Sequence, residues 1–343
     1  MPLAARRVFR LSASIALSLA VAYGLGLTMP FIAPLFAFML GAKPGPPMAP
    51  RALLGAVMVL ALMLSVGLLL IPMLIHYPAT GLMLALMGLF FANYVSLNLG
   101  KGAVGAFLTV GVAMISAIGL LGYAVATALI GALLVGVVTA VVCQWVIYPI
   151  FPEDSIEPAP EVPTEPMQSS WLALRATMIV FPSYLLALTN PALYMPIIMK
   201  AVALGQQASE TEAKHAGVEL LGSTAFAGIL AIVMWFGLEL YPNLWMFSLW
   251  ALLFSIVIVG KLYGVLRSRF SPSFWQNVLI TLFILIGPAV EDSANGKDPY
   301  KAFVVRLSLF IGVTLYAWLA LVFLEWLRSR QERRRNNALL QEV

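Results

Sequence analysis

Two short stretches hold the residues best suited to chemistry in an otherwise apolar chain. Residues 28–42 read TMPFIAPLFAFMLGA and residues 190–205 read NPALYMPIIMKAVALG. Each carries two prolines, Pro30 and Pro34 in the first and Pro191 and Pro196 in the second. A proline inside a helix frees backbone carbonyls, and a half-helix beginning beyond it presents unpaired N–H groups that favour an anion. Prolines also kink ordinary membrane helices, but short, proline-interrupted segments in matching positions point to a transporter's substrate site. Lys200 lies one turn beyond Pro196. An ionisable side chain within a span costs about 2.5–3.5 kcal/mol, so it is either functional or snorkels, here toward the polar Gln206-Gln207 end. Aligning Pro34 with Pro196 sets Phe38 opposite Lys200, and a cation facing an aromatic ring suits a planar aromatic carboxylate.

Further charges sit at segment ends. Glu219 opens the ninth apolar segment, where partial burial would let a carboxyl load and release a proton; an acid in a first helical turn is the plainer account. Lys101 and Lys261 occupy matching ends, as membrane anchors or as a pair of cations drawing anions to an inner mouth. Glu239, Glu291, Asp292 and Asp298 fall in external ends or loops and are expected to be solvated. His76 is expected outside and His215 inside, so neither forms a mid-membrane relay or a metal pair. No metal or organic cofactor is implied. The single cysteine, Cys143, excludes a disulfide framework. Gly260-Lys261 is followed by Leu262 rather than Ser or Thr, and no other phosphate-loop, zinc-protease or serine-hydrolase pattern occurs. Nothing reads as an enzyme.

The elements that must position these residues are membrane spans. Of 343 residues, 62% are hydrophobic and 10% charged, with mean hydropathy +0.95. Soluble domains carry about 25% charged residues, so a soluble enzyme, a nucleic-acid-binding module and a disordered chain are all excluded. Apolar segments fall at roughly 11–27, 29–42, 52–74, 79–97, 103–121 and 124–150. A second set falls at roughly 172–189, 191–205, 217–239, 243–263, 273–290 and 302–327. About 20 apolar residues cross a bilayer, giving about twelve helices, or ten if the short second and eighth segments are re-entrant. Arg6, Arg7, Arg10, Lys43, Arg51, Lys101, Arg175, Lys214, Lys261, Arg267 and Arg269 share one side if the segments alternate. So does the tail from Arg328 to Arg335. By the positive-inside rule both termini are cytoplasmic, and the basic tail reads as a lipid-facing anchor rather than a nucleic-acid site.

Residues 152–170, with five prolines and five acids, read as an extended cytoplasmic linker. They separate a first six-helix repeat, 1–151, from a second, 171–330, which a basic tail, 331–343, follows. Each half leads its first helix with Arg, Arg10 or Arg175. Each has Leu-Leu-Gly at its third, at Leu53-Leu54-Gly55 or Leu220-Leu221-Gly222, and Gly-Lys at the end of its fourth, at Gly100-Lys101 or Gly260-Lys261. An even number of spans per half makes the repeats parallel, related by an axis along the membrane normal. All 15 acids lie at 153 or beyond, so any carboxylate proton relay belongs to the second half.

This plan resembles the fusaric acid resistance and aromatic acid exporter (FUSC) family, in particular a compact bacterial subfamily described mostly as a domain of unknown function. The resemblance covers both membrane halves through short motifs. It implies a bacterial inner-membrane exporter of aromatic carboxylic acids, often beside a periplasmic membrane-fusion adaptor. Larger relatives carry a cytoplasmic domain where this chain has its linker, so roles of that domain do not carry over. The plan is also similar to plant aluminium-activated malate channels, in which two six-helix subunits form an anion pore.

Together these readings give an all-α polytopic membrane protein of two parallel six-helix repeats. It is expected to export organic anions by proton coupling, with Lys200 as counter-charge and Glu219 as proton carrier. The alternatives are a passive anion channel with Lys101 and Lys261 at its mouth, and a non-transporting scaffold. Membrane lipid and small organic anions are the expected partners, with room for an oligomer.

Overall fold

A computed structural model describes residues 2–153, 170–210, 217–296 and 298–341, and over these the chain is helical throughout, without strands. The first six helices are α1 Leu3–Gly24, α2 Ile32–Gly41, α3 Pro50–His76, α4 Pro78–Asn98, α5 Gly102–Leu121 and α6 Tyr123–Ile147. The next are α7 Ser170–Thr189, α8 Pro191–Glu210, α9 with its π turn Gly217–Gly222 running into Ser223–Leu240, and α10 Leu244–Leu262. They end with α11 Pro272–Ala294 and α12 Pro299–Gln341. Prolines open α3, α4, α8, α11 and α12, where the missing N–H is not needed. Left-handed glycines follow α4 and α10, Gly100 at φ 65° and Gly264 at φ 70°.

Among the described residues nine helices, α3 to α7 and α9 to α12, are long and apolar enough to cross a membrane. The chain is therefore a multi-pass helical membrane protein. Contacts between helix ends show that successive helices alternate in direction. On the face that carries the N-terminus, Arg10 at the start of α1 pairs with Glu153 beyond α6 at 2.6 Å. There the Tyr263 hydroxyl behind α10 donates to Ala42 O behind α2 at 2.8 Å, and Trp145 Nε1 near the end of α6 donates to Met48 O before α3 at 2.7 Å. On the opposite face Arg306 near the start of α12 pairs with Asp292 near the end of α11, and Tyr300 donates to Glu239 at the end of α9.

The halves pack reciprocally. α1 lies against α10 and α7 against α4, so the first helix of each half meets the fourth of the other. Within the halves α3 packs on α5 and α9 on α11. The α3–α5 crossing depends on small residues: a Cβ at Gly67 would stand 2.0 Å from Gly111 O, and one at Gly111 would stand 2.4 Å from Met63 O. Arg175, 5% exposed near the start of α7, pairs with Glu325 on α12 at 2.7 Å.

Two expectations are corrected here. Pro34 does not interrupt a span: α2 begins at Ile32, after a turn in which Met29 takes φ 53°, and Pro30 precedes it. Pro34 thus lies in the first turn, where its missing N–H costs nothing. The Ile32 and Ala33 N–H groups are also engaged, bonding Met29 O at 3.1 Å and Pro30 O at 3.3 Å. Of the four prolines in these two segments only Pro196 lies well inside a helix, whereas Pro191 opens α8. Asp292, expected to be solvated, is 8% exposed because α11 runs on to Ala294 and Arg306 meets its carboxylate. Most of the linker, along with Lys214, His215 and Lys297, lies outside the described residues.

Candidate functional site

Helix α11 builds the site. Its sequence places Ser273, Asn277 and Thr281 four residues apart, one above another on a single face of an apolar helix. Lys200 on α8 meets that row. Its Nζ donates to Asn277 Oδ1 and to Thr281 Oγ1, both at 2.7 Å, and the side chain is 0% exposed. This is not snorkelling: the ammonium turns inward across the helix pair. Its hydrogen-bonding partners are neutral oxygens, which solvate the charge without cancelling it.

The row continues to α9. Asn277 donates to Ser223 Oγ, which in turn donates to Glu219 O, and Ser273 Oγ donates to Glu219 Oε2 at 3.0 Å. Ser223 and Asn277 are buried, and Glu219 is half-buried. Lys200 and Glu219 thus belong to one polar network, held at its two ends by Thr281 and Ser273. Lys200 and Glu219 were legible in the sequence, whereas the Ser273, Asn277 and Thr281 row that joins them was missed. The row's four-residue spacing in an apolar segment was the signal.

Beside the row lies a cavity of about 270 Å³ between the two halves. Asn277, Ser273 and Gln276 supply its polar edge from α11. The rest is apolar: Leu35, Phe36 and Met39 from α2, Leu60 and Leu64 from α3, Phe107 and Met114 from α5, and Met199 from α8. Phe36 and Phe107 touch in a tilted arrangement, 6.0 Å between ring centroids and 56° between planes. The lining runs along most of α2, takes in the middle of α3, α6 and α8, and extends over the first half of α5 and α11 down to Ser273, the second residue of α11. The cavity therefore lies toward the face that carries the N-terminus.

The other singled-out residues fall as follows. Phe38 is 2% exposed in α2 and does not line the cavity, so the aromatic wall is Phe36 with Phe107. Pro30 and Pro34 stand at the start of α2, away from the polar row. Pro196 lies one turn before Lys200 in α8. Lys101 is exposed just before α5. Lys261 lies 5.0 Å above the Trp275 ring and donates to Arg267 O at 3.5 Å, which ties it to α11 beside the cavity's polar edge. Glu239 accepts from Trp235 Nε1 at 3.2 Å, and Asp298 caps α12 by accepting from Tyr300 N at 3.1 Å. Among the described residues no cluster of His, Cys, Asp and Glu could hold a metal.

A helical, multi-pass membrane protein with a buried cation beside an amphipathic inter-half cavity is the class that fold and site define. A family model described as a protein of unknown function, DUF2955, matches residues 7–147, the span of α1 to α6. No curated protein and no solved structure matches the chain.

Proposed function

We propose that this protein exports organic anions, aromatic carboxylic acids foremost, across a bacterial inner membrane by a proton-coupled mechanism. The observation that carries this reading is the cavity itself: apolar and aromatic on the first half's side, and polar where α11 backs onto Lys200. A planar ring would pack against the Phe36 and Phe107 pair, and its carboxylate would meet Gln276 and Asn277. Lys200 behind Asn277 supplies the compensating charge, which a low-dielectric site makes count. Glu219, reached from the cavity through Ser273, is the proton carrier. The resemblance to the aromatic acid exporter family points to the same substrate class.

Two parallel six-helix repeats related by an axis along the membrane normal are part of this reading. Their support is the reciprocal packing of α1 on α10 and α7 on α4. The ion pairs Arg10–Glu153 and Arg175–Glu325 support it too, each joining the first helix of a half to its sixth helix or to the chain just beyond it. With basic loops inside, the termini are cytoplasmic and the cavity faces the cytoplasm, as an export site must in its loading state.

A passive anion channel is the second reading, favoured by Lys101 and Lys261 flanking the cavity-lining helices and by the lack of acids in residues 1–151. Uptake of labelled hydroxybenzoate into inverted membrane vesicles, with and without an imposed pH gradient, separates the two. Saturable uptake that collapses with the gradient supports the exporter. Protein-dependent flux indifferent to ΔpH at matched potential supports the channel, and absence of protein-dependent flux across a panel of aromatic acids, with a membrane-fusion adaptor present, refutes both in favour of a scaffold.

A further inference from the structure

On the same face as the cavity lies a second recess with the opposite chemistry. It holds about 40 Å³ between the start of α1, the end of α2 with the loop behind it, and the end of α6. Arg10, Ser14, Lys43, Gln144 and Tyr148 line it. The loop Lys43-Pro44-Gly45-Pro46-Pro47 forms one wall, and its three prolines fix the backbone there.

Ser14 spends its hydroxyl hydrogen on Arg10 O at 2.8 Å, so the donors the recess offers are Lys43, Gln144 and the Tyr148 hydroxyl, with Arg10 as a held charge. Lys43 is exposed and makes no hydrogen bond or ion pair among the described residues. Gln144 spends one amide hydrogen on Ala37 O at 3.1 Å, leaving a second. The Arg10 guanidinium lies 5.4 Å over the Tyr148 ring, held in place by Glu153 at 2.6 Å and Phe151 O at 3.3 Å. Five cations, Arg6, Arg7, Arg10, Lys43 and Arg51, belong to this part of the chain, and residues 1–152 contain no acid. Glu153 is shared between Arg7 and Arg10, so the recess keeps a positive excess.

A small recess with two cations and amide and hydroxyl donors, placed where helices end, fits one tetrahedral anion of several acceptor oxygens. We propose that it binds the phosphodiester of an anionic membrane phospholipid, with Lys43 and Arg10 as charge partners. Its depth favours a lipid source, since helix ends lie at the level of the headgroups. The site borders α2 on the side away from the main cavity: Leu40 and Gly41 face the recess, whereas Leu35, Phe36 and Met39 face the cavity. A bound headgroup would therefore seat the short helix that carries part of the cavity's aromatic wall.

Binding tests this without any flux measurement. The full-length protein, in micelles carrying phosphatidylglycerol or phosphatidylcholine at equal mole fraction, would be examined by native mass spectrometry for retained lipid. Preferential retention of phosphatidylglycerol is expected, weakened about tenfold by Lys43→Gln, the loss of one charge-assisted contact. Lys301→Gln, on the opposite face, should change nothing. Arg10→Gln should weaken retention as well, but it also breaks the Glu153 pair, so Lys43→Gln carries the decision. Retention unchanged by Lys43→Gln, or no preference for the anionic lipid, overturns the proposal. Inorganic phosphate that binds and displaces the lipid with equal dependence on Lys43 would assign the recess to a free anion and overturn the lipid assignment.

Discussion

The buried ammonium of Lys200 makes an asymmetric prediction about stability. Replacing Asn277 by Leu removes one of the two oxygens that solvate the cation and leaves the charge buried. Stripping a partner from a buried charge costs about 3–5 kcal/mol. Replacing Lys200 by Met removes the charge itself. Asn277 Oδ1 is not orphaned, because the Thr281 hydroxyl already points to it at 3.4 Å. The two hydrogen bonds lost, to neutral oxygens and so at the low end of about 1.5 kcal/mol each, are offset by relief of about 2.5–3.5 kcal/mol of cost for an ionisable group within a span. Lys200→Met should therefore fold as well as the wild type, and Asn277→Leu should be less stable by at least about 2 kcal/mol. The double variant should return to the level of Lys200→Met, because the charge that needed Asn277 is gone. Reversible unfolding in mixed micelles reads all four proteins, and the cycle isolates the coupling. Equal stability of the two single variants, or additive loss in the double, would refute the account of Lys200 as a cation solvated by neutral oxygens. If the transport reading is right, Lys200→Met also abolishes saturable hydroxybenzoate flux while keeping the fold, whereas a scaffold loses nothing.

Other outcomes follow from the same geometry. Gly67→Ala should destabilise by about 1–3 kcal/mol in the unfolding assay, through overpacking against Gly111. Gly131→Ala, with open space around it, should be neutral or stabilising. Burial alone would raise the Glu153 carboxyl, but the hydrogen bonds and charges of Arg7 and Arg10 outweigh that and hold it below its ordinary 4.5. Its contribution is then present above that value and lost as pH falls through the lowered one. The Glu153→Gln defect in melting temperature should accordingly be clear at neutral pH and vanish in acid. Cys143 is buried, so an impermeant thiol reagent should find only introduced cysteines. Lys43→Cys should react in inverted vesicles and Lys301→Cys in right-side-out cells, and the reverse pattern would overturn the assigned orientation. Phe36→Ala with Phe107→Ala should raise the KM for an aromatic acid by at least about tenfold if a ring packs against them.

Much of the architecture was already written in the sequence, because a bilayer imposes a length and a polarity that local composition satisfies or fails. Among the described residues every apolar segment falls on a helix, nine of these are long and apolar enough to cross a membrane, and Arg10, Arg175 and Lys261 lie toward helix ends. Lys200 stood out because its neighbours are apolar, and it is the buried cation of the site. What the sequence left open depended on partners far along the chain. Whether Lys200 snorkels or turns inward was decided by Asn277 and Thr281, 77 and 81 residues away. The matched prolines of residues 28–42 and 190–205 suggested equivalent broken helices. Local backbone instead made one a ten-residue helix after an irregular turn and the other a twenty-residue helix with Pro196 inside. Phe38 is buried without lining the cavity, since the face a short helix turns to a cavity is set by its neighbours and not by alignment. Periodicity tells which residues share a face, but only packing tells what that face meets. The cavity's two walls come from different halves, so their juxtaposition exists only in the tertiary structure.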